Sequence, residues 1–203
     1  MIPHFRRLYN QAFSKEQYEN FLNDLKSRHP GSIDFRVAET PVFVPDAFRE
    51  KMIGACESIV DLICAPGFKS QSEKAIPSGD FVPGEERPCA FIAFDFGVCE
   101  NADGEPEPQL IEMQGFPTLY AFQVYYPEIL ARHFSLPKNF SPYLSGYTRE
   151  TYLQELKNII LGKEDPEQVI LLELKPHEQK TRIDFYCTQD YLGIQPVCLT
   201  DLI

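Results

Sequence analysis

The fold of this chain is decided by residues 91–114, FIAFDFGVCENADGEPEPQLIEMQ, in which two extended segments flank a polar loop. Residues 91–98 and residues 109–114 follow the period of two that is typical of β-strands. The intervening residues, 99–108, contain the Asp, Gly and Pro residues that favour turns. The sequence therefore predicts a β-hairpin.

The second segment of the hairpin is expected to have one apolar and one polar face. Strict alternation would place Ile111 and Met113 on the core face, and Leu110, Glu112 and Gln114 on the opposite face. In the first segment the same alternation separates four apolar side chains from Asp95. The polar face is therefore expected to carry Asp95, Glu112 and Gln114.

Two carboxylates are expected to face each other across this hairpin. If the turn is centred on Asp103 and Gly104, Asp95 lies directly opposite Glu112. Like charges across a strand pair destabilise a sheet, so such a pair favours a bound cation, a shared proton or solvent between the two groups. Oxygen ligands suit Mg²⁺, with the phosphates of a nucleotide completing its coordination. The alternative is an acidic face that is simply exposed to water, where Asp and Glu normally lie.

The segment FIAFDFGVCENADGEPEPQLIEMQGFPTLYAF, residues 91–122, resembles the strand-loop-strand of circularly permuted ATP-grasp proteins, including the glutathionylspermidine synthase-like group. That family typically reads Arg-x-Asp, a short loop, and then Leu-x-Glu-x-Asn. The resemblance implies that Asp95, Glu112 and Gln114 hold Mg²⁺ bound to ATP. Ala93 stands where the family has Arg, and Gln114 stands where it has Asn.

The resemblance also implies an activity, although it assigns no catalytic residue. The chain would be the N-terminal part of an ATP-dependent ligase that joins a small-molecule carboxylate to an amine. It would be inactive as this fragment, because the rest of the nucleotide cleft would lie beyond Ile203. The alternative is a non-catalytic small-molecule-binding or structural domain of the same architecture, in which Ala93 marks the loss of phosphate chemistry.

The tail, residues 165–203, predicts a parallel β-α-β unit. Residues 169–174 form a nearly continuous apolar run, residues 177–191 are helix-like, and a second strand is expected near residues 196–199. This order resembles the start of the Rossmann-like pre-ATP-grasp domain. The predicted fold is thus mixed α/β (α+β), with an ATP-grasp-like lobe at 1–164 and a truncated Rossmann-like domain at 165–203.

Helices are predicted between these elements from their end signals. Ser14 and Thr148 are suitable N-caps, and a helix is expected from Asp46 to about Ile63. Residues 118–134 look helical but contain Pro127, which should break or kink the helix. The stretches 33–37 and 42–44 are rich in β-forming residues, and 65–88 is expected to be a surface loop.

Composition excludes several classes of function. The net charge of −11 argues against nucleic-acid binding, which depends on Lys and Arg at the phosphates. No apolar run approaches the ~18–20 residues that cross a bilayer, and the first residues lack a secretory signal. We therefore expect a cytoplasmic protein without nucleic-acid or membrane partners. The six cysteines are expected to be reduced and to lie in the core.

Further residues are weaker site candidates, among them Arg182 beside Asp184, and His177 after the predicted strand, where a capping or solvated role is expected. Asp184 lies on the predicted tail helix, where a surface role is expected. Phe116 and Tyr120 follow the hairpin and could stack on a ligand, but aromatic residues at such positions are more often part of the core.

Overall fold

The structure is a computed structural model that describes residues 2–82, 84, 89–115 and 118–202. The chain forms two compact units, one of Met1–Pro3 and Val42–Pro117 and the other of His4–Pro41 and Thr118–Ile203. We call them unit 1 and unit 2. Each contains a two-stranded sheet, which is antiparallel in unit 1 and parallel in unit 2. The mixed helix-and-strand composition predicted from the sequence is confirmed.

The elements follow one another along the chain in a simple order. The helices are α1 (Pro3–Ala12), α2 (Lys15–Ser27), α3 (Asp46–Cys64), α4 (Phe68–Ser72), α5 (Phe122–His133), α6 (Arg149–Leu161) and α7 (Arg182–Leu192). The strands are β1 (Ala93–Glu100), β2 (Pro106–Gln114), β3 (Ile170–Glu173) and β4 (Gln195–Cys198). Every helix within the described residues is too short or too polar to cross a membrane.

Several helix ends confirm the signals read from the sequence. The Ser14 hydroxyl accepts a hydrogen bond from the Gln17 amide at 3.1 Å and caps α2. Helix α6 begins after Thr148, which forms a reciprocal capping box with Thr151, and ends at Gly162. These local contacts satisfy backbone groups that the first and last turns of a helix leave unpaired.

Other elements differ from the prediction. Helix α5 continues through Pro127, so this proline does not break the helix, and the alternative of a kink stays a prediction. The stretches 33–37 and 42–44 form no strand, since β-propensity alone does not provide a pairing partner. Helix α4 lies within the predicted loop, and α1 has no counterpart among the predicted elements.

Unit 2 holds most of the buried apolar side chains. Helices α2 and α5 pack against each other, and the Tyr125 hydroxyl donates to the Leu25 carbonyl at 3.1 Å. The fully buried side chains of this unit include Phe21, Leu25, Val124, Ile129, Ile183 and Ile194. Helix α7 packs against α5 of this core and against β4 of the parallel sheet.

The predicted β-α-β unit is confirmed. Strands β3 and β4 pair in parallel, with Glu173 beside Cys198, and α7 connects them. Gly193 ends α7 in the left-handed region at φ 77°. Residue 164, where the sequence suggested a domain boundary, lies inside unit 2, and the identities of the two domains stay predictions.

The cysteines correct another expectation. All six are free thiols, but only Cys187 is buried, whereas Cys64, Cys89 and Cys99 are exposed. The prediction of core positions is therefore wrong for most of them. Small apolar residues carry no signal of burial unless their neighbours in the fold are known.

Candidate functional site

The turn of the hairpin is organised by one asparagine. The Asn101 side-chain oxygen accepts hydrogen bonds from the amides of Asp103 at 3.0 Å and Glu105 at 2.9 Å. The Asn101 amide also donates to the Glu105 carbonyl at 2.9 Å, and Gly104 adopts φ 79°. These contacts close residues 101–105 and set the register of both strands next to the turn.

The register places the two carboxylates opposite each other, as the sequence predicted. Asp95 pairs with Glu112, and Ala93 pairs with Gln114. Closer to the turn the pairing is shifted by one residue, so that Gly97 lies opposite Gln109. A β-bulge between these regions absorbs the shift, which leaves an extra residue in β2.

The bulge also changes which side chains share a face of β2. Leu110 pairs with Phe96 and so lies on the apolar face. A Cβ built on Gly97 would lie 3.8 Å from Ile111 Cδ1, which places Ile111 on the face of Gly97 and Asp95. The predicted faces of Leu110 and Ile111 are therefore wrong, because strict alternation fails at the extra residue.

Gln114 joins the two acidic side chains. Its Nε2 lies 2.6 Å from Glu112 Oε1 and 3.3 Å from Asp95 Oδ2. One amide group therefore donates to both carboxylates, and the two acceptor oxygens lie no further apart than the sum of these distances. All three residues are exposed. The structure thus brings together the three residues that the sequence singled out.

The chemistry of this cluster fits a hard divalent cation under one condition. Mg²⁺ in nucleotide sites typically takes one or two carboxylates, keeps several waters and binds substrate phosphates. Asp95 and Glu112 supply the carboxylates, and exposure leaves room for water and phosphate. Gln114 must turn its amide so that Oε1, rather than Nε2, points at the cation. Within the described part of the chain, no group of three or more His, Cys, Asp and Glu side chains is placed to hold a metal.

The surroundings of the cluster offer less to a phosphate group. Ala93, which lies across from Gln114, carries no charge. Lys51 of α3 reaches β2, but its Nζ forms an ion pair with Glu107. Glu107 pairs with Cys99, four residues along β1 from Asp95. Lys51 is thus already paired with a carboxylate of β2.

The structure describes one of the two aromatic candidates, Tyr120, which belongs to unit 2. Phe116 lies outside the described residues. Tyr120 is half-buried, and its carbonyl accepts a hydrogen bond from the Tyr152 hydroxyl at 3.0 Å within unit 2. The core role predicted for aromatic residues at these positions suits Tyr120.

A second carboxylate site, in unit 2, was misjudged from the sequence. Asp184 is only 6% exposed, so the expected surface role is wrong. It accepts hydrogen bonds from the Leu119 amide at 2.9 Å, the Phe122 amide at 2.8 Å and the Thr118 hydroxyl at 3.2 Å. Asp184 therefore caps the N-terminus of α5 from a neighbouring helix.

Two features explain this placement. The N-cap residue of α5 is Ala121, which has no side-chain acceptor, and Leu119 adopts the left-handed region at φ 74°. The missing cap is the signal by which the sequence could have revealed a partner elsewhere. Burial raises the pKa of Asp184, and the hydrogen bonds from Phe122 and Leu119 oppose that rise.

Comparison with known proteins identifies no relative of this chain. No protein-family model matches the chain, and neither a curated protein nor a solved structure is significantly similar to it. The ATP-grasp resemblance therefore rests on the hairpin residues alone and stays a prediction.

Proposed function

We propose that Asp95, Glu112 and Gln114 position Mg²⁺ and ATP, and that the chain is the N-terminal part of an ATP-grasp-like carboxylate–amine ligase. The observation that carries this proposal is the cross-strand pairing of Asp95 with Glu112, bridged by the Gln114 amide. A pair of carboxylates with an amide at one point of a strand pair is a set of oxygen ligands suited to Mg²⁺.

The residues of the hairpin would bind and orient, rather than react. A bound Mg²⁺ would neutralise charge on the phosphates as a phosphoryl group moves to the substrate carboxylate. Asp95 and Glu112 extend from two paired strands, so their backbone positions are held by the ladder. The substrates implied are a small-molecule carboxylate and an amine.

A second candidate function is favoured by a different observation. Ala93 lies directly across from Gln114, where the family has an Arg. Arginine binds phosphate through a planar set of donors that alanine lacks. A non-catalytic small-molecule-binding or structural domain of the same architecture would keep the hairpin without the phosphate chemistry.

Isothermal titration calorimetry tests both candidates. We expect Mg²⁺ with ATP to bind the wild-type protein, and Asp95→Ala and Glu112→Ala each to abolish that binding. Glu105→Ala is the matched control, because it removes an exposed carboxylate of the turn instead. Unchanged affinity in the first two variants would reject the site. Absence of Mg²⁺–ATP binding by the wild-type protein would favour the non-catalytic candidate.

A further inference from the structure

The Gln114 amide occupies the position between the two carboxylates at which a shared cation would lie. Its two N–H groups point at Asp95 and Glu112, at donor–acceptor distances of 3.3 and 2.6 Å. Within the described residues, neither carboxylate accepts a hydrogen bond from another side chain or forms an ion pair. Among the described side chains, this amide is therefore the group that offsets the repulsion between these paired like charges, together with the solvent that reaches all three exposed residues.

We infer that Gln114 is a stand-in for the cation, holding the hairpin together while no metal is bound and turning its amide over when one binds. The inference rests on the proposed metal-nucleotide function and describes how that same site is regulated. The amide cannot donate to the carboxylates and present Oε1 to a cation between them at the same time, because Nε2 and Oε1 lie on opposite sides of the group.

Two consequences follow from this competition. A cation must displace two charge-assisted hydrogen bonds before it can bind, which weakens binding of all cations and favours divalent over monovalent ones. The strand pair also stays formed without metal, since a donor always lies between the carboxylates. Gln114 is thus a positioning residue that couples hairpin stability to occupancy of the site.

Hydrogen exchange of the β1 and β2 amides tests the inference with Gln114→Met, which lacks both the donor and the oxygen ligand. In EDTA we expect the opening equilibrium constant of the hairpin to rise about two- to fivefold in this variant. Saturating Mg²⁺ should remove most of this difference in the opening equilibrium constant between the variant and the wild type. Gln109→Met is the matched control, because Gln109 is also exposed on β2 and pairs with Gly97 rather than Asp95.

The outcomes separate the inference from the function on which it rests. If the opening equilibrium constant of the hairpin in EDTA is no larger in Gln114→Met than in Gln109→Met, the inferred role of Gln114 is wrong, whether or not metal binds. If Mg²⁺ changes the hydrogen exchange of the hairpin amides in none of the proteins, the proposed metal function is wrong. The comparison of Gln114→Met with Gln109→Met in EDTA still tests the role of the amide. In an Asp95→Asn background, Gln114→Met should have little further effect, because the repulsion is already gone.

Discussion

Removing the Asp184 carboxylate should destabilise unit 2 by disconnecting α7 from the start of α5. Asp184→Ala leaves the buried amide of Phe122 and the part-buried amide of Leu119 without their acceptor. Each unpaired buried amide costs about 1–3 kcal/mol, and the cost of burying the charge disappears at the same time. We therefore expect a net loss of about 3 kcal/mol in the free energy of unfolding. For a chain of this length such a loss lowers Tm by about 6–12 °C.

Urea unfolding and calorimetry can measure this loss. Gln189→Ala, on the exposed side of the same helix, is the control and should change stability by less than about 0.5 kcal/mol. Asp184→Asn keeps the shape of the side chain and one acceptor oxygen, so its loss in the free energy of unfolding should lie between those of Asp184→Ala and Gln189→Ala. A change of under about 1 kcal/mol in Asp184→Ala would refute the capping role.

The same site predicts a pH dependence. The pKa of Asp184 is raised from its ordinary value of 3.8 by burial, so the folded state holds the proton more tightly than the unfolded state. The stability that this group contributes is complete below pH 3.8 and is lost as the pH rises through the raised pKa. The wild type should therefore exceed Asp184→Asn in free energy of unfolding by less at neutral pH than at pH 4, as measured by urea unfolding. A difference that grows with pH would contradict the assignment.

Two further predictions concern the backbone. Gly193→Ala should cost about 1–2 kcal/mol of stability, because φ is 77° and the new Cβ would lie 3.3 Å from Pro166 Cβ; Gly146→Ala, at the same φ but with open space around it, should cost less in the same thermal unfolding assay. Asn101→Ala should lower the free energy of opening of the hairpin turn by about 1 kcal/mol, as measured by hydrogen exchange. Asn101→Asp keeps the acceptor oxygen and should lower it less. Equal protection in both Asn101 variants would show that the turn does not depend on this side chain.

Local rules were sufficient where one short stretch of chain determines the outcome. Ser14 and Thr148 cap helices through neighbours three residues away, and the apolar run before α7 becomes a parallel strand. The pairing of Asp95 with Glu112 was also predicted, but it needs the bulge as well as the turn, because the register next to the turn would by itself place Ile111 opposite Asp95. In each case the partners are close in sequence, so propensity and spacing decide between few alternatives.

The wrong predictions have two causes, an irregularity in strand pairing and a contact between residues far apart in the sequence. The faces of Leu110 and Ile111 were reversed because an extra residue in β2 is not visible in the alternation of side chains. The burial of Asp184 depends on residues more than sixty positions away. Only the missing cap of α5 pointed to it, and that signal does not say which residue supplies the acceptor.

Binding of a divalent cation between Asp95 and Glu112 can be measured by paramagnetic line broadening with Mn²⁺ in the presence of ATP. At the lowest Mn²⁺ fraction we expect the backbone amide signals of residues 94–96 and 111–114 to broaden before those of the turn, residues 101–105. Glu112→Gln should remove the effect. Broadening that begins at the acidic turn, or that is unchanged in Glu112→Gln, would contradict the assignment of this hairpin as a metal-nucleotide site.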